Sequence, residues 1–403
     1  MKIAFTVNGP GEYAGWLRPL LWALYARDPS LQATVFFVPD DFATGRESAV
    51  ARAEFPHLQV FSPSEYIRFA LGGKVEGMPE RVDRVQYLGG DLMHAAHIGK
   101  RLRAVTTSYK FSRPRYRSRF ARVFAVDERN RAELLEWKTP ADRITIVGNL
   151  AIDAAFREVD SGDEAAGEFA TDGIVIMPGS RRLEVANLIP FFLRVALRIR
   201  ESDPQIPIVF ALSPFTTADE VASALAKGGL PTVYGARGYV AQRDGILFLQ
   251  NENREQEFAV VRYAMRAATR ARMVLTIPGT KTIELAALGV PMVATVPFNA
   301  PEAAVINGPL QYVERIPFIG TPLKRQLVLQ YTKRFTYFTQ TNMDAQRELI
   351  PELVGTLTPG YVAQQVLERY RDAAWCSSTS EALRTLYTGH RGAAERMAEA
   401  LAA

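Results

Sequence analysis

The sequence predicts an α/β protein made of two Rossmann-like domains, each built on a parallel sheet. Three observations predict it. Lys2 to Asn8 (KIAFTVN) reads as a buried strand, followed by a Gly-rich turn (GPGEYAG), the helical run WLRPLLWALYAR and a second strand, Ala33 to Pro39. The same grammar restarts at GIVIMPGSRRLEVANLIPFFLRVALRI, again strand, Gly turn and helix. Between them, Arg157 to Gly173 is acidic, rich in small residues and without apolar period, and reads as a linker or surface loop.

The elements follow in order. Strand-like runs in the first half begin at Leu58, Arg84, Arg103, Arg122 and Arg143. In the second half PIVFALSP, TVYG, GILFLQN and ARMVLTIPGT continue the strand pattern. Beyond Pro359 the sequence is helical to its end. These spans place one domain at 1–160 and another at 170–364. The helices of about 365–403 are expected to pack back on the first domain, or to be exchanged with a partner chain in a homodimer.

Composition narrows the class. The 403 residues are 48% hydrophobic and 23% charged, a globular profile long enough for two or three domains. The net charge of +5 suits anionic partners but is too small to argue for nucleic acid. A single cysteine, Cys376, excludes an intrachain disulfide and fits the cytosol. The chain opens directly on a strand, so no signal peptide is expected, and no apolar run reaches the roughly 18 residues of a membrane span.

Five stretches carry candidate chemistry. In GPGEYAG the glycines at 9, 11 and 15 give GxGxxxG, one residue off the dinucleotide fingerprint, and Asp40 and Asp41 follow the second strand where a ribose-binding acid belongs. The plain alternative is a tight turn without ligand. Glu12 starts the helix there; it faces the crevice above the strand ends or merely complements the helix dipole. In MPGSRRLEV, Gly179 leaves the strand, Ser180 is placed to cap the next helix, and Arg181 and Arg182 stand where a guanidinium clamps phosphate. An exposed Arg pair is the alternative.

In IPGTKTIELAALG the order is not that of a P-loop, which ends in Gly-Lys-Ser/Thr with another Gly upstream. What remains is a helix N-terminus at which Gly279, Thr280 and Thr282 present N–H and hydroxyl groups. Glu284, polar in an apolar run, suits the paired hydroxyls of a ribose; dipole complementarity is the alternative. In YLGGDLMHAAHIGKRL, Asp91 follows two glycines after a strand and is a candidate general base, or a simple N-cap. His94 and His97 are three apart, but no third ligand stands near, so no metal is expected. Last, Lys110, Arg113, Arg115, Arg117, Arg119 and Arg122 interleave with aromatics, as does the segment Pro322 to Phe338. Together they suit an anionic membrane surface, with a solvated face as the alternative.

These segments, in this order, resemble the lipid-A-disaccharide synthase family of GT-B glycosyltransferases. PGSRRLEVANLIPFFL is similar to that family's Pro-Gly-Ser-Arg segment, and PGTKTIELAALGVPMV to its Ser-Gly-Thr-x-Thr-x-Glu segment, with Pro278 for Ser. GGDL around Asp91 stands for the Ala-Pro-Asp-Phe turn, and VGNLAID (Val147 to Asp153) for Val-Gly-His-Pro-x-x-Asp, with Asn149 for His. NMDAQRELIPELVGTLTP (Asn342 to Pro359) is close to the Asn-x-x-x-x-Arg-Glu-x-x-Pro-Glu-Leu segment. The match runs from the first strand to about Asp372. The first turn departs, with Ala14 and Trp16 where the family has Ser and Asp, and Pro309 to Thr341 is longer than usual.

The resemblance implies a GT-B fold, two domains facing across a cleft, with acceptor in the first half and donor in the second. It implies an inverting transferase that moves a sugar of the GlcNAc type from a UDP-sugar to a lipid-linked acceptor, without metal or other cofactor, at the inner face of the cytoplasmic membrane. Asp91 becomes the base, with Glu12 beside it. Gly179, Ser180, Arg181, Gly279, Thr280 and Thr282 hold the diphosphate, Glu284 the ribose, and Asn342, Arg347 and Glu348 line the donor pocket. The basic patch meets the membrane. A UDP-sugar 2-epimerase, a dinucleotide-binding oxidoreductase and a non-enzymatic lipid binder are the other readings.

Overall fold

The computed structural model describes residues 1–39, 45–110, 116–161, 169–262, 264–299, 330, 332 and 334–403. The chain divides into two compact units: Met1–Ala155 with Thr388–Ala403, and Phe156–Tyr387.

The first unit carries a seven-stranded sheet in the order β3-β2-β1-β4-β5-β6-β7. The strands are β1 (Lys2–Val7), β2 (Gln32–Phe37), β3 (Gln59–Phe61), β4 (Arg84–Tyr87), β5 (Val105–Tyr109), β6 (Arg122–Ala125) and β7 (Ile144–Ile146). Every pairing is parallel. Parallel strands are covered on both faces, which is why β1 and β2 bury five of their six residues in a row instead of alternating. The helices are α1 (Arg18–Arg27), α2 (Glu47–Glu54), α3 (Pro63–Ala70), α4 (Leu92–Arg101), α5 (Glu128–Glu136) and α6 (Leu150–Ser161). Their starts are written locally: Ser62 and Glu65 form a reciprocal capping box on α3, Asp91 caps α4, and Asp127 caps α5. Before α1 the chain makes a π-helical turn, Tyr13–Leu17.

The second unit carries an eight-stranded sheet in the order β10-β11-β12-β9-β8-β13-β14-β15. Its strands are β8 (Ile174–Ile176), β9 (Ile208–Ala211), β10 (Gly238–Arg243), β11 (Ile246–Asn251), β12 (Glu257–Val261), β13 (Met273–Thr276), β14 (Met292–Pro297) and β15 (Glu352–Gly355). The helices are α7 (Arg182–Ser202), α8 (Ala218–Lys227), α9 (Ala264–Arg270), α10 (Thr280–Ala287), α11 (Gln340–Ala345), α12 (Pro359–Arg371) and α13 (Ala373–Leu386). The core runs from Ile176 and Phe210 in the sheet through Phe191, Phe192 and Val195 of α7 to Val362 and Val366 of α12.

Four sequence expectations change here. The second sheet is not wholly parallel, because β11 runs antiparallel to both β10 and β12. The β10–β11 turn is Asp244-Gly245 with φ of 50° and 79°, the two-residue hairpin geometry that Asp-Gly favours. TVYG is no strand: Pro231–Val233 is a 3-10 turn and Tyr234 is left-handed at φ 58°. The supposed linker begins as helix, since α6 continues to Ser161. The C-terminal helices divide. α12 and α13 lie in the second unit, and only Thr388–Ala403, with α14 (Ala393–Ala402), joins the first.

Asp153 explains that last attachment. Its carboxylate accepts the N–H groups of Gly392 and Ala394, each at 2.7 Å, and so fills the N-terminus of α14. Arg396 Nε donates to the Val147 carbonyl at 2.8 Å, and Arg122 donates to the Ala400 carbonyl at 3.2 Å. Ala394, Met397, Ala398 and Leu401 bury the apolar face.

Candidate functional site

In each unit the turns singled out by sequence meet at the same topological place. In a doubly wound sheet a crevice opens beyond the carboxyl ends of the two strands where the winding direction reverses. In the first sheet those strands are β1 and β4, neighbours from which the chain winds outward in both directions. GPGEYAG follows β1, and GGDL follows β4. In the second sheet they are β8 and β13. MPGSRR follows β8, and IPGTKT follows β13.

At the first switch point the two turns pack closely. A side chain at Gly89 would start 2.2 Å from Asn8 Oδ1 and 3.0 Å from Glu12 Cγ, so the approach requires glycine. Gly90 takes φ 88°, and the Tyr87 hydroxyl donates to its carbonyl at 2.8 Å, which fixes the turn. Asp91 emerges from it exposed, with Oδ1 accepting the Met93 N–H at 2.8 Å as the cap of α4. Glu12 is half-buried. The structure therefore brings Glu12 and the Asp91 turn together. Trp16, where the resembled family has Asp, packs edge-on against Tyr109 with ring centroids 5.5 Å apart. That position serves packing and carries no acid.

At the second switch point a side chain on Gly179, which sits at φ 96°, would begin 2.3 Å from Glu184 Oε2 and 2.7 Å from Ile277 Cδ1. The two turns thus touch across β8 and β13. Their helix starts differ. Ser180 does not cap α7. Glu184 Oε2 accepts the N–H groups of both Ser180 and Arg181 at 2.9 Å, and Glu184 Oε1 takes the Arg181 guanidinium at 3.2 Å. The anion at that N-terminus is the chain's own carboxylate. The start of α10 is open: Gly279 is extended and exposed, no side chain caps it, and a side chain added there would meet nothing within 4 Å. Its first-turn N–H groups and dipole favour an anion.

Around that start the predicted residues separate into two kinds. Thr280 is half-buried beside Gly279. Glu284 is 4% exposed, and Lys281 Nζ lies 2.6 Å from its Oε2, so the lysine belongs to the site and is no free surface group. Thr282 is fully buried and its hydroxyl donates to the Gly279 carbonyl at 2.8 Å, which holds the turn shut. Asn342 is also fully buried. Its Nδ2 donates to the Ile350 carbonyl and to Glu352, and its Oδ1 accepts from Leu349 and Ile350 N–H. All four hydrogen-bonding positions of the amide are used, so Asn342 anchors the segment before β15 and lines no pocket. Arg347 and Glu348, on the loop it anchors, are exposed.

Of the basic patch, Lys110 is left-handed at φ 45° and half-buried, and Arg119 is exposed on the short 3-10 turn Arg117–Arg119. Arg113, Arg115, the side chain of Arg117, Asp40, Asp41 and most of the segment Pro322 to Phe338 lie outside the described residues. Among the described residues no helix is long and apolar enough to cross a membrane. Sequence reasoning missed three groups: Asn8 at the first switch point, Glu184 as the cap of α7, and the Tyr66–His94 pair. Glu184 was findable as the Glu three residues after the helix start. The Tyr66–His94 contact joins α3 to α4 across 28 residues and left no local signal.

No family model matches the chain. A lipid-A-disaccharide synthase of Geobacter sulfurreducens is 29% identical over 154 residues, 37% of this chain and 33% of that protein. The chain thus matches about a third of the length of that curated relative. Solved structures match throughout. The S. aureus MnaA–UDP co-structure covers 100% of this chain and 96% of its own, at TM-score 0.60 and 15% identity. The Methanocaldococcus jannaschii UDP-GlcNAc 2-epimerase in complex with UDP-GlcNAc and UDP covers 100% and 99%, at TM-score 0.55 and 13% identity. The chain shares their fold: two α/β domains of the GT-B type, each with a parallel-dominated sheet.

Proposed function

We propose that this chain is an enzyme acting on a UDP-sugar, held by its diphosphate at the start of α10. The observation that carries the reading is the coincidence of both switch points with the turns that bear the chemistry. In the second unit Gly279 and Thr280 offer open N–H groups, with Arg181 on the adjacent turn and Glu284 one turn into the helix. The first unit carries two carboxylates, Glu12 and Asp91, at its own switch point. Fixed N–H groups and a guanidinium stabilise the charge that grows on the departing diphosphate.

Epimerisation at C2 has the wider support, because the structures similar over the whole chain include a UDP-GlcNAc 2-epimerase. The C2 proton of a sugar is not acidic by itself. A carboxylate removes it as the C1–O bond breaks and its electrons leave with UDP; the C2–H electrons form a C1=C2 bond, and the proton then returns to the other face of C2 as the UDP oxygen bonds C1 again. Transfer to a lipid-linked acceptor is the second reading, favoured by the stronger identity of the partial synthase match. There a carboxylate takes the acceptor hydroxyl proton, and C2–H stays intact.

One experiment separates them. UDP-GlcNAc incubated alone with the protein in heavy water exchanges C2–H for deuterium in an epimerase, read by proton NMR. In a transferase C2–H persists, and UDP is released only when lipid acceptor is added. Arg181→Ala is expected to weaken UDP binding at least about tenfold, in line with the loss of a charge-assisted hydrogen bond. A protein whose melting temperature ignores UDP at millimolar concentration sinks both readings.

A further inference from the structure

The second unit holds a groove apart from its glycine turns. Its volume is about 970 Å³, the size of a small-molecule pocket, and it runs between the C-terminal half of α7 and α12. Arg194, on its α7 wall, is thirteen residues beyond Arg181, about 20 Å along the helix axis. Ala363 and Leu367 of α12 are buried and form an apolar floor. Arg194 and Arg198 stand one turn apart on α7, both exposed. Arg194 makes a single hydrogen bond among the described residues, a long one of 3.4 Å to the Gly235 carbonyl. Arg198 pairs with Glu201 at 2.7 Å, but both side chains are about half exposed, so water weakens the pair. The other acid of the lining, Glu368, accepts from the amides of Gln364 and Gln365 at 3.1 and 3.0 Å. The lining therefore carries three arginines, Arg371 included, against two carboxylates.

Tyr234 lines the same groove. Its backbone is left-handed at φ 58°, which a bulky side chain rarely adopts, and its side chain is 55% exposed. The turn is pinned from two sides. A side chain at Gly235 would begin 2.6 Å from Pro190 Cβ, and the Ala236 N–H donates to the Pro190 carbonyl at 2.9 Å. Asn299, 3% exposed, ties the turn to the segment before α12: its Nδ2 donates to the carbonyls of Thr232 at 2.9 Å and Leu357 at 2.8 Å. An exposed aromatic ring is thus held in a strained conformation beside a loosely bound guanidinium, as at sites that recognise a ligand.

We propose that this groove binds a small phosphomonoester that carries an aromatic base. The base stacks on Tyr234, and Arg194 and Arg198 take the phosphate, Arg198 exchanging Glu201 for it. The site lies within one unit and does not depend on the α10 start as a diphosphate seat.

The test is calorimetric titration of the full-length chain with AMP. Wild type is expected to bind it at millimolar concentration or below, and no binding there overturns the proposal. Adenosine and inorganic phosphate each keep only part of the contacts, so each is expected to bind at least about tenfold more weakly. Either one binding as tightly as AMP overturns the two-part site. Arg194→Ala is expected to weaken AMP at least about tenfold, the loss of a charge-assisted contact. Tyr234→Gly removes the ring and relieves the left-handed backbone. It is expected to melt at or above the wild-type temperature yet bind AMP at least about fivefold more weakly. Both side chains are exposed, so neither variant threatens the fold, and unchanged affinity in either one overturns the proposal. Gly279→Val locates the ligand. Its AMP affinity is expected to equal wild type; a loss there, with none in Tyr234→Gly, moves AMP to the α10 start and overturns the groove. UDP affinity is expected to be unchanged in Arg194→Ala and Tyr234→Gly, so failure of the groove and failure of the UDP-sugar reading are told apart.

Discussion

Residues at the two switch points split into those that build the turns and those left open to chemistry, and burial tells them apart. Gly179 belongs to the first kind: positive φ and the closeness of Glu184 exclude any side chain. Gly179→Ala is expected to cost about 1–3 kcal/mol, seen as a lower urea midpoint at unchanged slope. Asn342 is a sharper case. Asn342→Ala strands the Leu349 and Ile350 N–H groups and the Ile350 carbonyl, while Glu352 keeps its donors from Thr339. A loss of about 3 kcal/mol is expected, with an unchanged midpoint as the contrary result. His94 adds a pH term. Its folded pKa is depressed, so its contribution is complete above the unfolded value near 6.5 and is lost as pH falls through the folded value. His94→Asn is expected to flatten the loss of melting temperature as pH falls below about 6.5.

Elements show why some of this was legible in sequence and some was not. The buried parallel strands announce themselves as continuous apolar runs, so β1, β2, β8 and β13 were readable. β10 was not: half of its residues are exposed, and its strand state comes from pairing with β11. Local caps were half legible. Asp91 was recognised as a cap candidate, whereas Ser180 was chosen over Glu184 because the choice depends on which side chain folds back. The attachment of α14 was illegible, since Asp153 finds Gly392 and Ala394 across about 240 residues. Asp153→Ala leaves those two N–H groups without an acceptor. Hydrogen exchange at Ala394 is expected to speed up at least about tenfold, and unchanged protection there contradicts the clamp.

The whole molecule repeats one device twice. Each unit winds its strands outward from a pair of neighbours and lays two glycine turns over their carboxyl ends. Sequence alone located those four turns but not their meeting, because strand order is set by long-range pairing. Once paired, their roles diverge: one unit offers carboxylates, and the other a helix start without a cap. The account stands on that open helix start as the seat of a UDP-sugar diphosphate. Gly279→Val tests it most directly, because a Cβ added there has no protein atom within 4 Å and the side chain stands beside the α10 N–H groups. Calorimetric titration with UDP is expected to give binding to the wild-type chain and at least about tenfold weaker binding to Gly279→Val, with both chains melting alike in the absence of UDP. Equal UDP affinity in the two chains, or none in the wild type, contradicts the claim.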